Sequence, residues 1–109
     1  MNLFWVDNQN NTFLLGNLYK KDNHYYFEKN DTELLTAINH GCFGVGNIDI
    51  SKKINESDKL FDFFANRIPR KDNPDIQNIL RSFGLKEYDE WELLKRSHGS
   101  LLKDNYYLQ

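Results

Sequence analysis

The sequence predicts an α+β domain: a small antiparallel sheet, built from an N-terminal meander and a C-terminal strand, with about three helices packed on one side. The first third of the chain alternates apolar and polar residues between clusters of Asn, Asp and Lys, the period of strands and their turns. The later chain carries Leu, Ile and Phe at helical spacing. The end, Tyr106-Tyr107-Leu108, returns to strand-forming residues.

Leu3–Val6 reads as a first strand, closed by the turn-forming run Asp7-Asn8-Gln9-Asn10-Asn11. Thr12–Tyr19 places Phe13, Leu15 and Tyr19 on one face and Leu14, Gly16 and Leu18 on the other, a strand covered in part on both sides. After the turn Lys20-Lys21-Asp22-Asn23, His24–Glu28 alternates Tyr25 and Phe27 against polar neighbours and completes the meander. Asn30 or Asp31 caps a helix through Ile38, with Leu34, Leu35 and Ile38 at helical spacing and Gly41 as the stop. Cys42–Ile50 mixes apolar residues with Gly44 and Gly46 and reads as a weak strand or a loop.

Ser57–Pro69 is the stretch against which the rest is expected to pack. As a helix it aligns Leu60, Phe64 and Ile68 in one stripe, widened by Phe61 and Phe63. Asn55-Glu56-Ser57-Asp58 offers its N-terminal cap, Arg67 suits the negative end of its dipole, and Pro69 ends it. Asn73-Pro74 then reads as cap and first position of a helix carrying Ile76, Ile79, Leu80 and Phe83, stopped at Gly84. Asp89 caps a shorter helix with Trp91, Leu93 and Leu94, closed by Lys95 and Arg96 and ending near Ser97-His98-Gly99. Ser100–Leu108 reads as a strand or small hairpin returning to the sheet.

A length of 109 residues predicts one domain over 1–109, able to bury roughly two thirds of its unfolded surface without disulfides or metal. Fourteen basic and sixteen acidic residues are spread along the chain, for a net charge of -2. That balance offers no electrostatic footprint for direct nucleic-acid binding. The mean hydropathy of -0.73 and the lack of a long apolar run argue against a membrane protein. The N-terminus has no signal-peptide pattern, and the single Cys42 cannot form an internal disulfide, so a cytoplasmic location is expected. Three matches to the glycosylation sequon are set aside as chance in an Asn-rich chain.

No catalytic residue, cofactor site or metal centre is expected. His40 and Cys42 lie close in sequence, but their spacing to His24 and His98 matches no zinc module, and no orienting group marks a catalytic pair. Gly41–Gly46 lacks the order and the following Lys of a phosphate loop. Trp91 reads first as core and second as a partner-facing anchor. Arg67, Arg70, Lys71 and Asp72 around Pro69 read either as a recognition loop or as a solvated helix connection.

Leu15-Gly16-Asn17-Leu18, Tyr25-Tyr26-Phe27-Glu28 and Leu60-Phe61-Asp62-Phe63-Phe64-Ala65-Asn66-Arg67-Ile68-Pro69 are followed by the Ile76–Phe83 helix, Trp91-Glu92-Leu93-Leu94 and Gly99. In that order these segments resemble the N-terminal subdomain of HipA-type toxin kinases, Phe-Phe-x-Asn-x-x-Pro being the most specific part. Such a kinase continues into a catalytic core, whereas this sequence stops at Gln109. The resemblance therefore implies a freestanding copy, similar to the HipS antitoxins of HipBST modules. It implies a HipT-like serine/threonine kinase toxin as partner, a HipB-like helix-turn-helix protein as a further partner, and contacts through Asn66, Arg67, Pro69, Arg70, Lys71, Asp72, Asn73 and Trp91. Relatives often carry Pro-Glu-Gly and a bulky aromatic after this proline, whereas Pro69-Arg70-Lys71-Asp72-Asn73 implies polar blocking. The alternatives are a non-inhibitory subunit bridging the kinase and the HipB-like protein, and a small enzyme using His40, Cys42 or His98.

Overall fold

In a computed structural model of the chain, describing residues 1–101 and 104–109, the meander forms as the sequence patterning expects. Its strands are β1 (Asn2–Val6), β2 (Thr12–Lys21) and β3 (His24–Lys29), paired antiparallel in sequence order. Two further strands complete the sheet: β4 (Ile54–Ser57) pairs with β3, and β5 (Tyr106–Leu108) pairs with β1. The order is β4-β3-β2-β1-β5, all antiparallel.

The inner face of the sheet and the helices share one core. Leu3, Leu15, Leu18, Phe27 and Leu108 from the strands meet Phe64, Leu93 and Leu94 from the helices, all fully buried. Phe27 lies against Phe64 with ring centroids 6.0 Å apart, and Tyr25 against Trp91 at 5.9 Å. The opposite face is open, and its aromatics cover one another: Phe4 stacks on Tyr107 at 5.2 Å and Tyr19 on Tyr26 at 5.0 Å. This separation follows from the alternation of side chains along each strand.

Register shifts between Leu3 and Phe4, so the partners of β1 skip from Gly16 to Leu14 and Leu15 becomes the extra residue of a bulge. Gly16 is required there because a Cβ would stand 2.5 Å from both the Glu28 carbonyl oxygen and the Phe27 ring.

Four helices form among the described residues. The first, α1 (Asp31–Asn39), is capped by Asn30, whose side chain accepts from the Glu33 N–H at 3.0 Å. The second departs from expectation: α2 spans only Asp62–Ala65, with no side-chain cap, in place of a helix through Ser57–Pro69. Of the residues expected to cap it, Asn55, Glu56 and Ser57 are extended in β4, where the free edge of β3 supplies backbone partners that a helix start would lack. Asn55 instead closes a loop, accepting from the Asp49 N–H at 3.2 Å and donating to the Asp49 carbonyl at 2.8 Å. Burial of Leu60, Phe64 and Ile68 follows the expected stripe even though the helix between them is a single turn. Pro69 contributes to its brevity by disfavouring helical geometry at Ile68.

The third helix, α3 (Ile76–Ser82), starts later than Asn73-Pro74 implies, because the Asn73 side chain accepts from the Asp75 N–H at 2.8 Å and makes a turn before the helix begins. The last, α4 (Glu90–Ser97), is capped by Asp89, which accepts from the Glu92 N–H at 3.1 Å, and ends at His98 in the left-handed conformation. Cys42–Ile50 is a loop rather than a strand. Of the expected Ser100–Leu108 strand, only Tyr106–Leu108 is strand, and the part at Leu102-Lys103 lies outside the described residues.

Candidate functional site

The connection from α2 to α3 contains most of the residues expected to meet a partner. Its ends are held. The Tyr88 hydroxyl donates to the Pro69 carbonyl at 2.7 Å, and the Asn73 turn fixes the other side. Burial and then the neighbouring Glu90 and Asp72 carboxylates push the Tyr88 phenol up, which keeps its hydroxyl protonated as the donor.

Between these holds Arg70, Lys71 and Asp72 are exposed, the Arg70 and Asp72 side chains at 83% and 71%. Arg70 pairs with Asp72 at 3.0 Å, a surface contact worth little to stability and easily exchanged for a partner's charges. These three residues border an open hollow of about 890 Å³ together with Lys20, Asn66, Tyr88, Asp89 and Glu90. Three cations and three carboxylates border it, a composition suited to a protein surface of mixed charge.

Arg67 is placed differently from its neighbours. It is 7% exposed and faces inward, donating to the Gly99 carbonyl at 2.7 Å and pairing with Asp104 through both terminal nitrogens. Its guanidinium lies over Phe63 at 4.5 Å and Tyr106 at 5.0 Å. It ties the end of α2 to the segments that precede β5, so of the residues expected to meet a partner Arg67 is one whose side chain is engaged within the chain. Trp91 is partly buried against Tyr25 and packs on the core, while Asn66 caps α2 and remains exposed.

The thiol and imidazoles stand in separate environments. His40 Nδ1 lies 3.2 Å from the Asp7 carboxylate, and His98 Nδ1 lies 2.9 Å from the Leu108 carbonyl. Cys42 is buried, 3.5 Å from the Tyr106 hydroxyl and 3.7 Å from the Gly44 carbonyl. Among the described residues, no three His, Cys, Asp or Glu side chains converge as a metal centre. No described helix is long and apolar enough to cross a membrane.

Sequence reasoning missed Tyr88, Asp104 and Phe43. Tyr88 and Asp104 act through partners 19 and 37 residues away, so no local spacing marks them. Phe43 falls within Cys42–Ile50, whose sequence reads as a weak strand or a loop; Gly41 and Gly44 around it are the local signal of a turn. No family model, curated protein or solved structure matches the chain.

Proposed function

We propose that the chain is an antitoxin-type binding module, without enzymatic activity of its own, that acts in the cytoplasm on a HipT/HipA-like serine/threonine kinase. It docks where the kinase's N-terminal subdomain would sit, and the loop after Pro69 obstructs nucleotide binding or closure of the active site. The observation that carries this reading is the Arg70–Asp72 loop, exposed at its centre and held at both ends by Tyr88 and Asn73. A loop ordered before binding loses little conformational entropy when it meets a partner. The resemblance of Leu60–Pro69 to HipA-type subdomains supplies the class of that partner.

Co-expression with such a kinase, followed by purification and an autophosphorylation assay, tests the reading. The expected result is a stable complex with suppressed kinase activity. Failure of the purified proteins to associate overturns it. A stable complex with full kinase activity replaces inhibition by a bridging role between the kinase and a HipB-like helix-turn-helix protein.

A further inference from the structure

Phe43 is 98% exposed, the most exposed large apolar side chain among the described residues. It sits between Gly41 and Gly44, whose φ angles of 106° and 85° belong to the region that favours glycine. A Cβ at either glycine would meet nothing within 4 Å, so the tip of this loop stands clear of the chain.

The base of the loop, by contrast, is anchored. Cys42 and Val45 are buried, and the Cys42 N–H donates to the Ala37 carbonyl at 3.0 Å. The Tyr106 hydroxyl donates to the Gly44 carbonyl at 2.8 Å, which ties the loop to β5. Tyr106 keeps its proton, because burial and the adjacent Cys42 thiol raise its phenol well above the usual range. An apolar ring on a braced loop is already ordered before association, and a rigid aromatic that fills a partner's pocket is the usual form of an interface hot spot.

A hollow of about 300 Å³ opens beside the ring, bordered by Trp5, Asn8, His40, Asp104, Asn105 and Tyr106. Its described lining contains no lysine or arginine, and its acidic member, Asp104, is already paired with Arg67. A phosphate-bearing surface, whether lipid or nucleic acid, finds no described lysine or arginine there, and the imidazole in the lining, His40, already faces the Asp7 carboxylate at 3.2 Å. Asn8 and Asn105 can instead bond polar groups that flank an apolar socket on a folded protein.

This surface connects with the first one. Tyr106 packs on Phe63 at 5.1 Å, Phe63 borders a shallow hollow that includes Arg67 and the exposed Leu101, and Asn66 borders both that hollow and the one around Arg70.

We infer that Phe43 is a second anchor on the same protein partner, inserting into an apolar socket of the kinase while the Arg70–Asp72 loop makes the polar contacts. This inference rests on the binding-module reading.

Titration of the purified kinase with wild-type chain, Phe43→Ser and Phe43→Trp tests it, with circular dichroism to verify that each variant is folded. The expected result is a loss of affinity of roughly 30-fold or more for Phe43→Ser and near-wild-type binding for Phe43→Trp. Equal binding by folded Phe43→Ser overturns the anchor and leaves the binding module standing. Absence of wild-type binding overturns both. Sedimentation of the chain alone and flotation with anionic vesicles complete the experiment. Self-association or vesicle binding that requires Phe43, with kinase affinity unaffected by its loss, assigns the ring to that other occupant and overturns the inference.

Discussion

At the scale of single residues, charge placement separates what holds the molecule together from what is free to bind. Arg67 and Arg70 are three positions apart, yet one is enclosed by Gly99, Asp104, Phe63 and Tyr106 while the other is exposed. Removing the first leaves the buried Gly99 carbonyl without its donor and the Asp104 carboxylate with the longer contact from the Tyr106 N–H at 3.4 Å. Arg67→Ala is expected to lower stability by about 2–3 kcal/mol, discounted from a fully buried pair because Asp104 is partly exposed, as measured by urea denaturation. A loss below about 0.5 kcal/mol would place this pair with ordinary surface contacts.

Asp7 makes a prediction about pH. The Asn11 side-chain amide, and then the Asn11 and Gln9 N–H groups and His40, hold its carboxyl below the usual carboxylate value, against the opposing effect of burial. A depressed folded pKa stabilises the protein above the unfolded value of ~3.9, and that contribution is lost as pH falls through the folded value. Thermal melts between roughly pH 6 and 2.5 are therefore expected to show an acid-side decline that is shallower in Asp7→Asn. Parallel pH profiles for the two proteins would contradict it.

Among the elements, the meander is the most tightly specified, because period-two patterning, turn residues and a bulge glycine agree. Gly16→Ala tests the close approach of β2 to β3. Its methyl would meet the Glu28 backbone at 2.5 Å, and backbone in a paired strand cannot move aside as the end of a flexible side chain can. The expected cost is about 2–3 kcal/mol in chemical denaturation, with β2 and β3 losing amide-exchange protection first. An unchanged midpoint would mean that the β2–β3 pair relaxes without cost. The opposite case is Ser57–Pro69. Its apolar spacing identified the buried residues, yet the helix contracted to Asp62–Ala65, because spacing reports which side chains are buried and not whether the backbone between them bonds to itself. Ile54–Ser57 bonds to β3 instead, and pairing with an edge formed by residues far away in sequence leaves no local pattern.

The whole molecule is flat, with extents of 41 × 33 × 19 Å, as one sheet layered with one set of helices should be. Its broad dimensions are ample for the roughly 800 Å² that each partner contributes to a standard interface. At this scale, the proposed antitoxin role predicts that charge reversal at both Arg70 and Lys71 weakens binding and inhibition of a HipT-like kinase by at least tenfold while leaving the melting temperature within a few degrees, since both side chains are exposed. Unchanged inhibition by the folded double mutant would move the inhibitory surface away from this loop. The double mutant and Phe43→Ser probe different contacts, so their combined effect also reports whether both surfaces meet one partner.

The sequence by itself determined the α+β class, the three-stranded meander, a cap at Asn30 or Asp31, the Asp89 cap, and the exposure of Arg70–Asp72. Each depends on neighbours within a few positions, where side-chain period, capping oxygens and turn chemistry act directly. Only the tertiary structure decided that β4 takes the edge beside β3, that Arg67 serves the interior, that Tyr88 holds Pro69 and that Phe43 stands clear of the surface. Those outcomes depend on which distant backbone groups and charges arrive alongside. An unpaired strand edge draws in a segment whose local pattern reads as a helix cap, and a guanidinium turns inward only where a carbonyl, a carboxylate and aromatic faces have been assembled to receive it.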